Sequence, residues 1–373
     1  MSTGIPTRLR RRGLPAVLLA AALVLMAPMS RSAEAAGLGL TDLQLAGQRV
    51  IYSYPGLTPP QSLLDDIRNG QVGGVIFFGE NISSPAQIAS VVAELRQAQA
   101  ESRIHQPLLL MTDQEGGIVR RLPGEPTLSE KQVGQAADPV AAATAAGTGA
   151  GQNLAGVGMN VNLAPVLDVF YEPGNFIDRF QRSYSDDADV VARLGSAFIR
   201  AQQATGVVAT AKHFPGLGSA ARSQNTDLGP VTIPLTLDQL RSRDEVPYPA
   251  AVRSGVQMVM LSWGLYPAVD PDRPAGLSPK IVLGELRGHN HFAGITITDA
   301  LEAGALNAYG TTGQRAVTAA GAGMDLILCS GRDVAQGEAA TAALADAYKT
   351  GQLNKLVFLS TVARTELLRV TLH

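Results

Sequence analysis

Several apolar runs in this sequence stop at residues that hold charge, exchange protons or offer a flat aromatic face. Leu108–Thr112 runs into Asp113, Gln114 and Glu115. Met159–Ala164 is followed by Asp168 and, further on, by Arg179 and Arg182. Val207–Lys212 continues as Lys212-His213-Phe214-Pro215-Gly216, Gln257–Ser262 meets Trp263, and Gly294–Thr298 meets Asp299. Carboxylates gathered in one place do proton-transfer or nucleophilic work. Cations beside them donate charge-assisted hydrogen bonds with strict orientation. Each residue also has a plainer reading. Asp113 and Asp168 suit helix N-caps, Lys212 and His213 a paired core couple, and Arg182 a surface ion pair. Asp299 suits a cap on the helical segment after it, and Trp263 simple packing or a stacking face. Repetition of the pattern from run to run favours convergence on one bowl.

For those ends to meet, the runs must be parallel strands. The candidates are Arg49–Tyr54, Gly73–Phe78, Pro107–Thr112, Met159–Ala164, Val207–Lys212, Gln257–Ser262, Gly294–Thr298 and Asp325–Cys329. Most are short, continuous and rich in Val, Ile and Leu, as strands covered on both faces are. Helical patterns lie between them. Pro85–Gln99 places Ile88, Val91, Val92 and Leu95 on one face. Others run over Asp187–Thr205, Leu237–Ser254, Glu302–Gly321, Val334–Thr350 and Asn354–Leu368, and the Ala/Gly-rich stretch Ala136–Gly158 is good helix material. Eight strands alternating with helices predict an α/β fold, a single (β/α)8 barrel of the TIM type, in which residues past the strand C-termini face one mouth. No repeat, charge block or Pro/Ser-rich linker divides the chain, so residues 36–373 are expected to be one domain.

The N-terminus has a different character. Arg8, Arg10, Arg11 and Arg12 precede an apolar run from Leu14 to Met26, and Ala33-Glu34-Ala35 offers small residues for cleavage. This layout predicts a signal peptide over residues 1–35, by the general or the twin-arginine route, and a secreted or extracytoplasmic protein with no stable membrane span after processing. Its removal takes five Arg and one Glu and moves the formal charge from −2 to −6. A mildly acidic protein lacks the basic footprint of a nucleic-acid binder. Cys329 is the only cysteine, so no intrachain disulfide forms, and the five His show no ligand spacing. No metal or cofactor is expected.

Five strings, in order along the chain, resemble those of glycoside hydrolase family 3, in its single-domain bacterial β-N-acetylglucosaminidase form. They are Met111-Thr112-Asp113-Gln114-Glu115-Gly116-Gly117 with Arg120-Arg121-Leu122, Asn162–Val169, Arg182–Asp187, Ala211-Lys212-His213-Phe214-Pro215-Gly216, and Gly294–Leu301. The resemblance implies a retaining glycosidase that acts on β-linked terminal sugars, N-acetylglucosamine of cell-wall glycan fragments above all, or β-glucosides. It implies Asp299 as nucleophile, Asp113 as acceptor from sugar hydroxyls, and Arg121, Arg182, Lys212 and His213 as donors to them. Trp263 is a candidate sugar-stacking face.

One segment departs from the family's pattern. Its N-acetylglucosaminidases carry an Asp-x-His dyad after Lys-His-Phe-Pro-Gly, with the His as general acid/base. Here those positions are Ser223 and Asn225, the His usually following Pro-Gly is Leu217, and no His occurs between His213 and His289. Neither Ser nor Asn exchanges a proton near neutral pH, and such help is worth roughly 10²–10⁴ in rate. Three readings follow. Asp227 takes over as acid/base; or the enzyme relies on a good leaving group or an anionic acceptor such as phosphate; or the barrel binds glycans without hydrolysing them.

Overall fold

The computed structural model describes residues 39–372 together with Met1, so the expected leader lies outside the described residues apart from Met1. Residues Leu40–His373 form one compact unit. Eight strands make a parallel sheet: β1 Val50–Tyr52, β2 Gly74–Ile76, β3 Leu109–Thr112, β4 Val161–Asn162, β5 Val208–Phe214, β6 Met258–Leu261, β7 Ile295–Thr298 and β8 Ile327–Leu328. Their order in space is β7-β6-β5-β4-β3-β2-β1-β8. The two ends of that order meet through a parallel bridge between Ile297 and Leu326. Beside it Thr298 N–H donates to Leu326 O at 3.1 Å and Leu301 N–H to Leu328 O at 3.0 Å. The sheet therefore closes on itself as a (β/α)8 barrel, and each expected strand is present, seven with trimmed ends and β5 running two residues past its expected end to Phe214.

Alternation along the strands sorts the core into two layers. Leu109 and Met111 on β3, Val161 on β4 with Leu163 beyond it, Val208 on β5, Met258 and Met260 on β6, and Ile295 and Ile297 on β7 share one buried cluster that fills the barrel. Their strand neighbours Leu110, Ala209, Ala211, Val259 and Leu261 belong to a second cluster, between strands and helices. At the N-terminal end of the barrel, fully buried Asp325 accepts from Arg287 Nη2 at 2.6 Å and Thr296 N–H at 2.8 Å, and it also pairs with Arg364.

Helices form where caps and apolar faces coincide. Pro85–Ala100 starts at Ser84, whose side chain accepts from Gln87 N–H, with Pro85 in the first turn and Ile88, Val91, Val92 and Leu95 buried. Pro139–Gly156 is capped by Asp138, and at Gly147 a Cβ would stand 2.4 Å from Phe198 O, so only Gly allows this approach to helix Ala188–Gln203. Two expected helices differ. Leu237–Ser254 divides into Leu237–Gln239, a wider π-helical turn Leu240–Asp244 and Pro247–Arg253, because Pro247 has no N–H to continue the ladder. Glu302–Gly321 divides at Gly310, whose φ is +83°; Gly304–Tyr309 is a 3₁₀ segment and Thr312–Ala322 starts afresh at a Thr311/Gln314 capping box. Helix Gln61–Arg68 and the π-helical segment Lys280–His289, which were not among the expected helices, complete the β–α alternation. No helix among the described residues is long and apolar enough to cross a membrane.

Candidate active site

The two-residue alternation that fills the barrel also decides which side chains stand above the filling. Continuing the inward phase of β3 from Leu109 and Met111 leads to Asp113; that of β5 from Val208 leads through Thr210 to Lys212; that of β7 from Ile295 and Ile297 leads to Asp299. All three line a cavity of about 430 Å³ whose apolar floor includes Ile76, Leu163, Met260 and Leu328. Arg121, Arg182, His213, Asn225, Thr226, Asp227, Glu302 and Arg332 complete its polar wall, with Phe78, Phe176 and Leu217 on the apolar side.

One wall is an ion cluster. Lys212 Nζ is 2.7 Å from Asp113 Oδ1 and 2.8 Å from Glu115 Oε1. Arg182 grips Glu115 with two bonds, Nε to Oε2 and Nη2 to Oε1, both 2.8 Å. Burial works against the Glu115 carboxylate, but Arg182 and Lys212 outweigh it and hold its carboxyl well below the usual range. Burial likewise opposes the Lys212 ammonium, yet Asp113 and Glu115 raise it above the ordinary lysine value. The cluster keeps its charges, and it orients Asp113 and the Arg182 guanidinium towards the cavity. Arg121 adds a cation whose buried Nε has no hydrogen-bond partner among the described residues.

His213 is fixed from behind. Asp168, fully buried, accepts from His213 Nδ1 at 2.7 Å and from Leu217 N–H at 2.7 Å. Nδ1 donates to the carboxylate, which leaves Nε2 as the ring nitrogen without a protein partner among the described residues. Neither Asp113 nor Asp168 caps a helix.

Asp299 is partly buried; its Oδ1 accepts from Ala300 N–H at 2.7 Å. Burial raises its carboxyl above the ordinary value and the Asp227 charge adds to this, while His213, the Ala300 amide and Lys212 oppose. Asp227 lies on the exposed loop after β5. Its N–H donates to Asn225 Oδ1 at 2.9 Å, and no hydrogen-bond donor engages its carboxylate among the described residues. Of the two dyad positions, Asn225 lines the cavity and Ser223 does not.

Trp263 is corrected. It falls out of phase with Met258 and Met260, so it turns towards the helical layer, 1% exposed, with Nε1 donating to Ala300 O at 2.8 Å. It does not line the cavity and offers no face to a ligand there. Four further residues line the cavity that were not among the expected ones, Glu302, Phe78, Phe176 and Arg332: Phe78 ends the apolar run Gly73–Phe78 but carries no charge, and the other three lie further along their loops. No three His, Cys, Asp or Glu side chains converge to hold a metal ion among the described residues.

A barrel whose strand ends gather carboxylates, cations and one imidazole around an open cavity is equipped to bind a polyhydroxylated ligand and act on it. The chain belongs to glycosyl hydrolase family 3: the model of that family's N-terminal domain matches residues 43–368. An uncharacterized secreted glycosyl hydrolase of Arthroderma benhamiae is 48% identical over 326 residues, 87% of this chain and 92% of that one. A family 3 β-N-acetylglucosaminidase from a Paenibacillus species superposes with a TM-score of 0.84 at 37% identity, covering 89% of this chain and 62% of that one. A β-N-acetylhexosaminidase from Beutenbergia cavernae gives 0.80 at 32% identity, covering 89% and 99%.

Proposed function

We propose that this protein is an exported, retaining β-glycosidase that removes terminal β-linked sugars, N-acetylglucosamine of cell-wall-derived glycans first among them. Asp299 is its nucleophile and Asp227 its acid/base. The observation that carries the reading is the placement of Asp299: it continues the inward phase of β7 into a cavity that also holds Asp113, Arg121, Arg182, Lys212 and His213. The β-N-acetylglucosaminidase and β-N-acetylhexosaminidase activities of the Paenibacillus and Beutenbergia relatives support the choice of sugar. The arginine-led apolar N-terminus and the secreted Arthroderma relative support export.

In the first step Asp299 Oδ attacks the anomeric carbon while the bond from that carbon to the leaving oxygen breaks. Asp227 gives its proton to that oxygen, and a glycosyl ester remains on Asp299. Water then attacks the anomeric carbon, Asp227 takes its proton back, and Asp299 leaves as carboxylate. Lys212, Arg121, Arg182 and His213 hold the sugar hydroxyls, with Asp113 as acceptor. The free Asp227 carboxylate supports its role, since a group already held by several donors is a poor proton source.

Incubation with an activated 2-fluoro glycoside, followed by peptide mass spectrometry, tests the nucleophile. The expected result is a covalent label on Asp299; label on another residue would refute the assignment. Asp227→Asn should abolish turnover of substrates with poor leaving groups and spare activated aryl glycosides; equal loss on both counts against Asp227. A second reading, a barrel that binds glycans without hydrolysing them, draws on Ser223 and Asn225 at the dyad positions. Its signature is saturable binding with no turnover, unaffected by Asp299→Asn.

A further inference from the structure

Glu130 opens a short helix, Glu130–Gly134, and an acidic residue in a first turn ordinarily lies in solvent and complements the helix dipole. This one is 2% exposed, and its side chain leaves the helix altogether. Its Oε1 accepts from Val166 N–H, 36 residues on, at 2.8 Å. The reason lies in the strands. The β3–β4 pairing reaches Leu163 N–H, which donates to Thr112 O at 3.0 Å; beyond it Gln114–Gly116 turns away to pair with Val119–Arg120. Val166 is thus left without a strand on that side, and a buried N–H needs an acceptor. The Glu130 carboxyl supplies it. On the other side the same segment holds β5: Lys212 N–H donates to Pro165 O at 3.2 Å and Leu167 N–H to Lys212 O at 2.6 Å. The next residue, Asp168, is the one that fixes His213.

The helix has little freedom to move. Ser129 and Gln132 close a capping box at its start, Lys131 Nζ holds both oxygens of Asp178 at 2.7 and 2.9 Å, and at Gly134 a Cβ would stand 2.0 Å from Tyr184 O. Folding alone gives no reason for a carboxyl here: Glu130 Oε2 is buried without a partner among the described residues, as is the Tyr184 hydroxyl. Such groups cost stability. Burial first, and then the Glu115 charge, raise the Glu130 carboxyl well above its ordinary value, against the Val166 amide, Arg182 and Lys212. The side chain thus accepts from Val166 as a neutral acid, and an amide of the same shape can replace it.

We propose that Glu130 is a positioning residue of the sugar site: by taking the place of a strand at Val166 it fixes the backbone from which Lys212 and Asp168 act. Lys212 reaches Asp113 and Glu115, and Asp168 holds His213, so one buried bond sets the geometry of both parts of the sugar-holding set. This rests on the reading of Lys212 and His213 as donors to sugar hydroxyls.

Three variants test it. Glu130→Gln keeps an acceptor of the same shape, Glu130→Asp falls one methylene short, and Glu130→Met fills the space with no acceptor. Calorimetry with N-acetylglucosamine, at a temperature where melting curves show each variant folded, gives one readout. Glu130→Gln should bind within about threefold of wild type and Glu130→Met roughly tenfold more weakly or worse, with Glu130→Asp between them. The second readout does not need the sugar. The Nδ1–H proton resonance of His213, identified by its loss in His213→Gln, should persist in Glu130→Gln and shift or vanish in Glu130→Met. Should Glu130→Met fail to fold, Glu130→Asp carries the comparison. Wild-type affinity and an unmoved resonance in the variant lacking the acceptor overturn the positioning role, and so does a folded Glu130→Gln that fails like Glu130→Met. A resonance that moves as expected in a protein that binds no N-acetylglucosamine upholds the positioning role and refutes the choice of sugar.

Discussion

Gly304 donates its N–H to Asp227 O at 2.9 Å, and this bond ties the loop after β5 to the segment that follows Asp299. Ala305 N–H donates in parallel to Thr226 O at 3.0 Å. A Cβ at position 304 would lie 2.5 Å from the carbonyl carbon and oxygen of Leu228 and 3.0 Å from Asp227 O, all backbone atoms that cannot swing aside. Gly304→Ala should push the loop off its seat, at about 1–3 kcal/mol of stability. On a substrate with a poor leaving group kcat should fall by tenfold or more, because misplacing a catalytic group by about 1 Å can cost on the order of 10² in rate. An activated aryl glycoside should lose far less. Unchanged kcat on both substrates would show that the loop position does not matter.

Asp299 must be ionised to attack, and burial together with the Asp227 charge raises its carboxyl. The acid limb of kcat/KM should therefore lie above the ordinary Asp value. Asp227→Asn removes a neighbouring negative charge, so with an activated aryl substrate that limb should move to lower pH. A limb that stays in place, or moves up, would show that the two carboxylates are not in electrostatic contact.

Asp244 offers a test on stability. It is fully buried under the Lys212–Leu217 segment, its Oδ2 accepts from Tyr171 Oη at 2.7 Å, and its Oδ1 has no partner among the described residues. Burial, and then the nearby Asp168 charge, push its carboxyl up from 3.8 to about 7, against the pull of the Tyr171 bond and Arg243. The unfolded chain thus gives up this proton at lower pH than the folded one, and stability falls as pH rises through that window. The loss is at most about 4 kcal/mol. Asp244→Asn keeps an acceptor for Tyr171 and has no proton to lose. Its melting temperature should exceed the wild type's near neutrality, and the gap should close as pH falls towards 4. A variant less stable than wild type at pH 7 would contradict this.

Trp263 is the only tryptophan, and it reports on packing. Its emission should be that of a buried indole and should not shift on sugar binding. Trp263→Phe should cost about 2 kcal/mol, through a smaller side chain and an unpaired Ala300 carbonyl. KM should be unchanged. A rise in KM of tenfold with unaltered melting would restore the stacking role.

Much of this architecture was legible along the chain. The barrel strands are continuous apolar runs because helices cover one face of them and the barrel filling the other, and such runs need no knowledge of neighbours to be recognised. Asp113, Lys212 and Asp299 were legible as cavity-lining residues because each ends or follows such a run. Trp263 follows one too, and its odd spacing from Met258 and Met260, visible in the sequence, is what separates it from them. The division of Glu302–Gly321 was hidden, since Glu302 is spent on Ser330 and Gln336 rather than on a helix.

The sequence by itself therefore determined the strand set, the closing of a parallel α/β barrel and the side chains that rise above its filling, because a period of two is a local property of extended backbone. Only the tertiary structure decided that Glu115 is shared by Lys212 and Arg182, that the loop carrying Asp227 is tied through Gly304 to the segment after Asp299, and that the Arg332 guanidinium lies over the Phe78 ring. Those relations join residues tens to hundreds of positions apart in loops of irregular conformation. No periodicity encodes them; they follow from where the closed barrel brings the loop ends.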